Sequence, residues 1–443
     1  MGRSDIASVR GWEILDSRGR PTVACEVVLE DGTTGSASVP SGASIGLHEA
    51  RELRDGGARY AGFGVRRAVA SVSDQLAQAV RGQDSTDQRA VDTSLIAADG
   101  TTDLNRLGSN AILAVSVAVA RAGARVRGLP LYACLLGPDQ TPLLPLPMVN
   151  IVSGGAHAGR SIDIQDVLVV PVGAGSFSEA LEWAARVRSA TADIFHDLGF
   201  ASALVADEGG LAADLSTNRA ALELVSEGIE RAGLAPGVQV GIAIDVAATQ
   251  LVQPDGNYCL ETEARTLTPD ELLAELAGWC RDFSVVSLED PLAEDEWGGW
   301  SRATTALGPT QLLADDLLVT DTGRLRRAIG ARVASAILVK PNQCGTLSAA
   351  RDALDEARGA GYATVMSARS GETEDSWLAD LAVGWRSGQI KVGSTMRSER
   401  TAKWNRLLAI EAAAGDGQNY AGSAALRTAA GVHGRGVSAT RRP

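Results

Sequence analysis

Three carboxylates and two lysines stand at the ends of short apolar runs in the second half of the sequence. VGIAID closes on Asp245, FSVVSLED brings Glu289 to its end, QLLADD reaches Asp315, SAILVKPN carries Lys340 and GQIKVG carries Lys391. Carboxylates converging from adjacent strands repel one another unless a cation holds them, and an all-oxygen donor set suits Mg²⁺. The alternative is that the same residues cap helices or pair with lysines. A lysine near a bound metal and other cations loses affinity for its proton and can serve as a base. ATVMSARS adds Arg369 and Ser370, with Gly371 next. They read as a planar donor, a hydroxyl and open backbone for an anion, or more blandly as a solvated turn.

Glu208 in DEGG is either a residue at a helix start or the acid that assists a leaving hydroxide. His157 lies in SGGAHAG, a glycine-rich loop where a core histidine is not expected. Together these groups suit one reaction. The metal neutralises a substrate carboxylate, a lysine removes the weakly acidic α-proton to give an aci-carboxylate, and a β-leaving group departs with help from Glu208.

Stepping such groups around one rim requires strands that all point the same way. After about residue 140, apolar strand patterns alternate with helix patterns, from QDVLVVPV through SALVADEGG to GQIKVG, without GxGxxG after the first strand. This predicts a β/α barrel with its chemistry at the strands' C-terminal ends. Before it, IASVRGWEIL, TVACEVVLE and TTGSASVP predict an antiparallel meander, followed by helices. NAILAVSVAVARAGAR, with Asn110 as its expected cap, is too apolar for a surface helix. The expected domains are an α+β unit over 1–140, a barrel over 141–430 and a tail over 431–443.

The chain of 443 residues has a formal net charge of -13, which argues against a nucleic-acid partner. Five cysteines form no CxxC pair and leave an odd one, as in a reducing compartment. The first residues lack the apolar core and cleavage site of a signal peptide, and no apolar run suggests a membrane span, so a cytoplasmic protein is expected.

Nearly the whole chain resembles the enolase family. The resemblance is carried by LDSRGRPTV, VPSGASIGLHEARELRDG, PLPMVNIVSGGAHA, DEGG, SLEDPLAEDEWGGW, LVKPNQCGTLSAA, ARSGETEDSWLADLAVG and GQIKVGSTMRSERTAKWNRLLAIE. It implies an enolase-type α/β barrel, ββαα(βα)₆, with an N-terminal α+β capping domain, a homodimer and two Mg²⁺ ions. It also implies interconversion of 2-phosphoglycerate and phosphoenolpyruvate. Asp245, Glu289 and Asp315 then correspond to ligands of the first Mg²⁺ and Ser44 to a ligand of the second. Lys340 corresponds to the base, Lys391 to the partner of the substrate carboxylate, Glu208 to the acid machinery and Arg369 with Ser370 to the phosphate grip. His157 and Gln165 match lid and substrate-contact positions.

Two departures stand out from the family pattern. Where enolases usually read SHRSGE this chain reads SARSGE, placing Ala368 at the histidine. Where they usually read QEF it reads QDV, placing Asp166 at the glutamate. The metal ligands and lysines are intact, so a non-catalytic binding protein is disfavoured. The departures imply altered specificity toward a phosphorylated or phosphonylated three-carbon acid, with two alternatives: an ordinary enolase, or an enolase-like carboxyphosphonoenolpyruvate synthase of phosphonate antibiotic biosynthesis.

Overall fold

The computed structural model describes residues 2–42, 46–415 and 419–433. Strands β1 (Ile6–Leu15), β2 (Pro21–Leu29) and β3 (Thr34–Ser38) form an antiparallel sheet in the order β1-β2-β3. A helical stretch over 66–80 and helices α1 (Gln88–Asp99) and α2 (Ser109–Val126) follow. Helix α2 is buried along most of its length, as its composition predicts. Its cap is Gly108 rather than Asn110, whose Oδ1 instead accepts the Leu53 amide at 3.1 Å. The sheet lies on α2 so closely that a Cβ on Gly35 would sit 2.2 Å from the Ala118 carbonyl oxygen.

Eight strands close the second unit: β4 (Leu146–Ser153), β5 (Asp166–Val170), β6 (Gly241–Asp245), β7 (Val285–Glu289), β8 (Gln311–Ala314), β9 (Ala336–Val339), β10 (Ala363–Ser367) and β11 (Gly388–Gly393). Strand β5 runs antiparallel to both β4 and β6, and the other pairings are parallel. Helices α3 (Phe177–Asp197) and α4 (Asn218–Arg231) follow β5 in succession. Single helices follow the six remaining strands: α5 (Pro269–Asp282), α6 (Trp297–Ala306), α7 (Thr322–Ala331), α8 (Leu347–Gly359), α9 (Trp377–Gly384) and α10 (Ser398–Ala414). The order is ββαα(βα)₆. SALVADEGG, expected as a strand, is a loop between α3 and α4; the barrel is complete without it, and Ala206 and Gly210 close a local turn.

The strands read as continuous apolar runs because both faces are covered. Leu146, Met148, Leu168, Val170, Ala243, Leu313, Ala336, Leu338, Ala363 and Val365 fill the barrel interior. A second layer of apolar side chains packs the outside of the barrel against the helices. Helices α3, α4, α5, α7 and α8 begin on Ser176, Thr217, Thr268, Asp321 and Thr346, whose side chains each accept an amide of the first turn. At the N-terminal end of the barrel Gln311 and Gln389 bond each other, and the Gln389 amide also reaches the Ala425 carbonyl at 3.0 Å. Among the described residues no helix is long and apolar enough to cross a membrane.

Gly35→Val is expected to destabilise the protein by about 1–3 kcal/mol or more through overpacking against α2. Equilibrium denaturant unfolding checks this, and wild-type stability in the variant would show that the sheet can move off the helix.

Candidate active site

Each acidic or basic group singled out at a strand end projects at the C-terminal rim for a reason of chain direction. Asp245 and Glu289 are the last residues of β6 and β7 and are register partners. Asp315 and Lys340 directly follow β8 and β9, and Lys391 lies on β11. Strand β5 runs the other way, so its first residue, Asp166, arrives at the same rim, opposite Asp245. Ser44 lies outside the described residues.

The Lys391 ammonium donates to Asp245 Oδ2 at 2.6 Å and Glu289 Oε2 at 2.7 Å, and Lys340 Nζ donates to Asp315 Oδ2. Gln165 Nε2 also donates to Asp245 Oδ2, at 2.9 Å, and Gln343 Nε2 to Asp315 Oδ1, at 2.9 Å. The pairing with lysines that competed with the metal reading is therefore present. The ammonium groups stand among the three carboxylates, so these do not form one tight oxygen cluster.

Burial raises the Glu289 carboxyl well above its ordinary value, and Asp245 beside it raises it further. Burial alone would lower both lysines, but Asp245 and Glu289 hold Lys391 well above the ordinary lysine value, and Asp315 holds Lys340 above it. For Lys340 the nearest charge is the Asp315 carboxylate; the expected loss of proton affinity concerns the site with a cation bound to that carboxylate.

The donor set nevertheless fits a hard divalent cation. Asp245 and Glu289 already aim one oxygen each at a single positive charge, the Lys391 ammonium, and Asp315 follows the neighbouring strand. Asp290, at φ 41°, accepts the amides of Asp315 and Asp316 at 3.0 and 2.9 Å and so fixes the turn that presents Asp315.

His157 lies in the loop between β4 and β5, as expected, but is buried there, only 7% exposed. Its Nδ1 lies 2.9 Å from Asp166 Oδ2, and its Nε2 lies 3.9 Å from Glu208 Oε1. Asp166 is fully buried; Asn150 Nδ2 and, at 2.9 Å, Ser153 Oγ donate to its other oxygen. It thus stands behind His157 and does not line the cavity. Burial would lower the His157 pKa, but Asp166 and Glu208 raise it from 6.5 to about 9.

One narrow cavity is lined by His157, Gln165, Glu208, Asp245, Lys340 and Lys391, and by the run from Ser367 to Ser370. Ala368 therefore presents a methyl group to it. Arg369 donates to Glu49 at 2.8 Å across the domain boundary, and Arg18 NH1 donates to Ser370 Oγ at 3.4 Å. Arg400, fully buried, donates to the carbonyls of Arg369 and Val392 at 2.6 and 3.0 Å, tying the β10 and β11 ends together.

Sequence reading missed Asn150, Ser153, Asp290, Gln343, Glu49 and Arg400. An acid directly after a strand and before Pro291 was a usable signal for Asp290; the others lie in segments whose partners are far along the chain.

The arrangement offers two ammonium groups and three carboxylates on one side of the chemistry and a histidine between two acids on the other. Residues 6–135 match the family model described as "Enolase, N-terminal domain", and residues 141–429 match "Enolase, C-terminal TIM barrel domain". An enolase of Acidothermus cellulolyticus is 50% identical over 427 residues, which is 96% of this chain and 98% of that protein.

Because the His157 pKa is raised on folding, its contribution to stability is full below about pH 6.5 and is lost as pH rises through about 9. Denaturant unfolding of wild type and His157→Gln from about pH 6 to about pH 10 should show the wild-type advantage shrinking across that window. A pH-independent difference would mean that His157 carries no proton there.

Proposed function

The chain belongs to the enolase family, and on that premise we propose that it is a Mg²⁺-dependent lyase that removes the β-hydroxyl from a 2-phosphoglycerate-like acid to give an enol phosphate. The observation that carries this reading is the meeting of Lys340, Lys391, Asp245, Glu208 and His157 around one cavity, with Glu289 and Asp315 paired to the same two lysines. Asp245, Glu289 and Asp315 would hold the cation, with Ser44 assigned by resemblance to a second one. Bound there, the cation neutralises acidic oxygens and favours negative charge on a substrate carboxylate.

The protein's own groups do the rest. Arg369 and Ser370 bind the phosphate, and Lys391 and Gln165 orient the carboxylate. Lys340, as the free amine, takes the proton from the substrate's α-carbon, and the C–H electron pair moves into the carboxylate to form the aci-carboxylate. That pair then returns to form the carbon–carbon double bond as the β-C–O bond breaks. The departing hydroxide takes a proton from the Glu208–His157 pair and leaves as water. Asp166 acts through His157, as the residue that orients it.

A second reading is favoured by Ala368. Its methyl group lines the cavity where the family pattern has a histidine, giving a roomier and less polar wall. On this reading the same enolate chemistry serves a bulkier phosphorylated or phosphonylated acid, as in carboxyphosphonoenolpyruvate synthesis.

Lys340→Ala should abolish exchange of the substrate α-proton with solvent deuterium, followed by NMR, while Mg²⁺ binding stays nearly intact. Exchange at the wild-type rate in that variant would remove Lys340 from its role. Turnover of 2-phosphoglycerate at roughly 10–100 per second, read as ultraviolet absorbance of the enol product, supports the first reading and sinks the second. If instead turnover is poor, Ala368→His is expected to raise it about tenfold or more by restoring a donor, and no gain would overturn the second reading.

A further inference from the structure

A separate cavity of about 430 Å³ opens between the SRGR turn after β1 and the RELR segment of residues 51–54. It adjoins the candidate active site through Glu49, which lines this cavity and holds Arg369 of the other. Three arginines and two glutamates face it, but their charges are not all spent on each other. Glu49 is neutralised by Arg369, and Glu52 by Arg54 at 2.5 Å.

Arg20 and Arg51 have no ion pair among the described residues. The Arg20 guanidinium lies 4.3 Å from the centre of the Phe63 ring, which holds it by cation–π attraction and leaves its N–H donors open. Arg51 makes one hydrogen bond, to the Leu47 carbonyl at 3.3 Å.

The second observation comes from the cavity wall. Asn342 is 7% exposed, lines the cavity, and its side-chain amide has no hydrogen-bond partner among the described residues. Its amide therefore keeps its donors for a ligand in the cavity. It lies on the short turn Pro341–Cys344, which Lys340 caps. Two uncommitted guanidinium groups and one uncommitted amide donor make a site for an oxyanion, with the planar forks of the arginines suited to two of its oxygens.

We propose that this cavity is a second oxyanion subsite, taking a phosphate, phosphonate or carboxylate group beside the candidate active site. The group is either a free anion or the distal acidic group of a substrate longer than a three-carbon phospho acid. The latter case rests on the reading of the reaction given above, and the subsite itself does not.

The test is calorimetric titration of the full-length protein with inorganic phosphate, compared with Arg20→Gln/Arg51→Gln and with Asn342→Ala. Both variants should weaken one class of phosphate site about fivefold or more. Phosphate isotherms matching wild type in both variants overturn the proposal. Titration with methylphosphonate and with 3-phosphonopropionate separates the sources. If the distal group of a substrate belongs here, the linked diacid binds about tenfold tighter than methylphosphonate in wild type and loses that gain in the double variant. Equal affinities, with the phosphate difference retained, assign the subsite to a free anion. Turnover of 2-phosphoglycerate is read in parallel, so failure of the reaction reading shows there and not in the phosphate isotherms.

Discussion

The rim of this barrel depends on burying five charges together. Asp245, Glu289 and Asp315 are each at most 8% exposed, and burying carboxylates together is costly unless cations stand at hydrogen-bond distance. Lys391 answers two of them and Lys340 the third. Such a cluster adds little net stability, because desolvation consumes most of the Coulombic gain. Its worth lies in placement: strands fixed by apolar packing on both faces hold charges that would otherwise separate into water.

That placement is enforced from a distance. Arg400 reaches from α10 to the carbonyls of Arg369 and Val392, and Asp290 from the end of β7 fixes the turn after β8. Glu49 crosses from the N-terminal unit to Arg369. The small domain is thus part of the site, since its carboxylate meets the guanidinium assigned to the substrate's phosphate. On the proposed reading, a phosphate at Arg369 would compete with that carboxylate, tying anion binding to the fit between the two units.

Much of this was legible in the sequence, for physical reasons that differ by residue. Asp245, Glu289, Asp315, Lys340 and Lys391 each break or end an apolar run, and a charge after a buried strand has few places to go but the rim. Glu208 was found, but its supposed strand was not there: short apolar stretches in a glycine-rich segment do not distinguish a strand from a packed loop. His157 looked like a loop residue because glycines surround it, yet Asp166 nine positions later draws it into the protein. That Lys340 pairs with Asp315 was one of the two readings the sequence left open, since sequence order does not reveal which charge stands nearest. A partner such as Glu49 is invisible to any local pattern, being 320 residues from the Arg369 it holds, and Arg400 holds backbone carbonyls that no residue type marks.

The reversed strand has a consequence for how such a site can change over time. Because β5 runs backwards, the segment joining it to β4 is a hairpin lying on the working rim, and it carries His157, Gln165 and Asp166 within ten residues. On the proposed reading, His157, one of the pair that would meet the departing hydroxyl, and Gln165, which would orient the carboxylate, therefore travel together with Asp166, while Glu208, Lys340, Lys391 and the three carboxylates lie on other segments. A lineage that exchanges that single hairpin changes the histidine, its buried acid and Gln165 at once, and leaves the lysines and carboxylates of the rim in place.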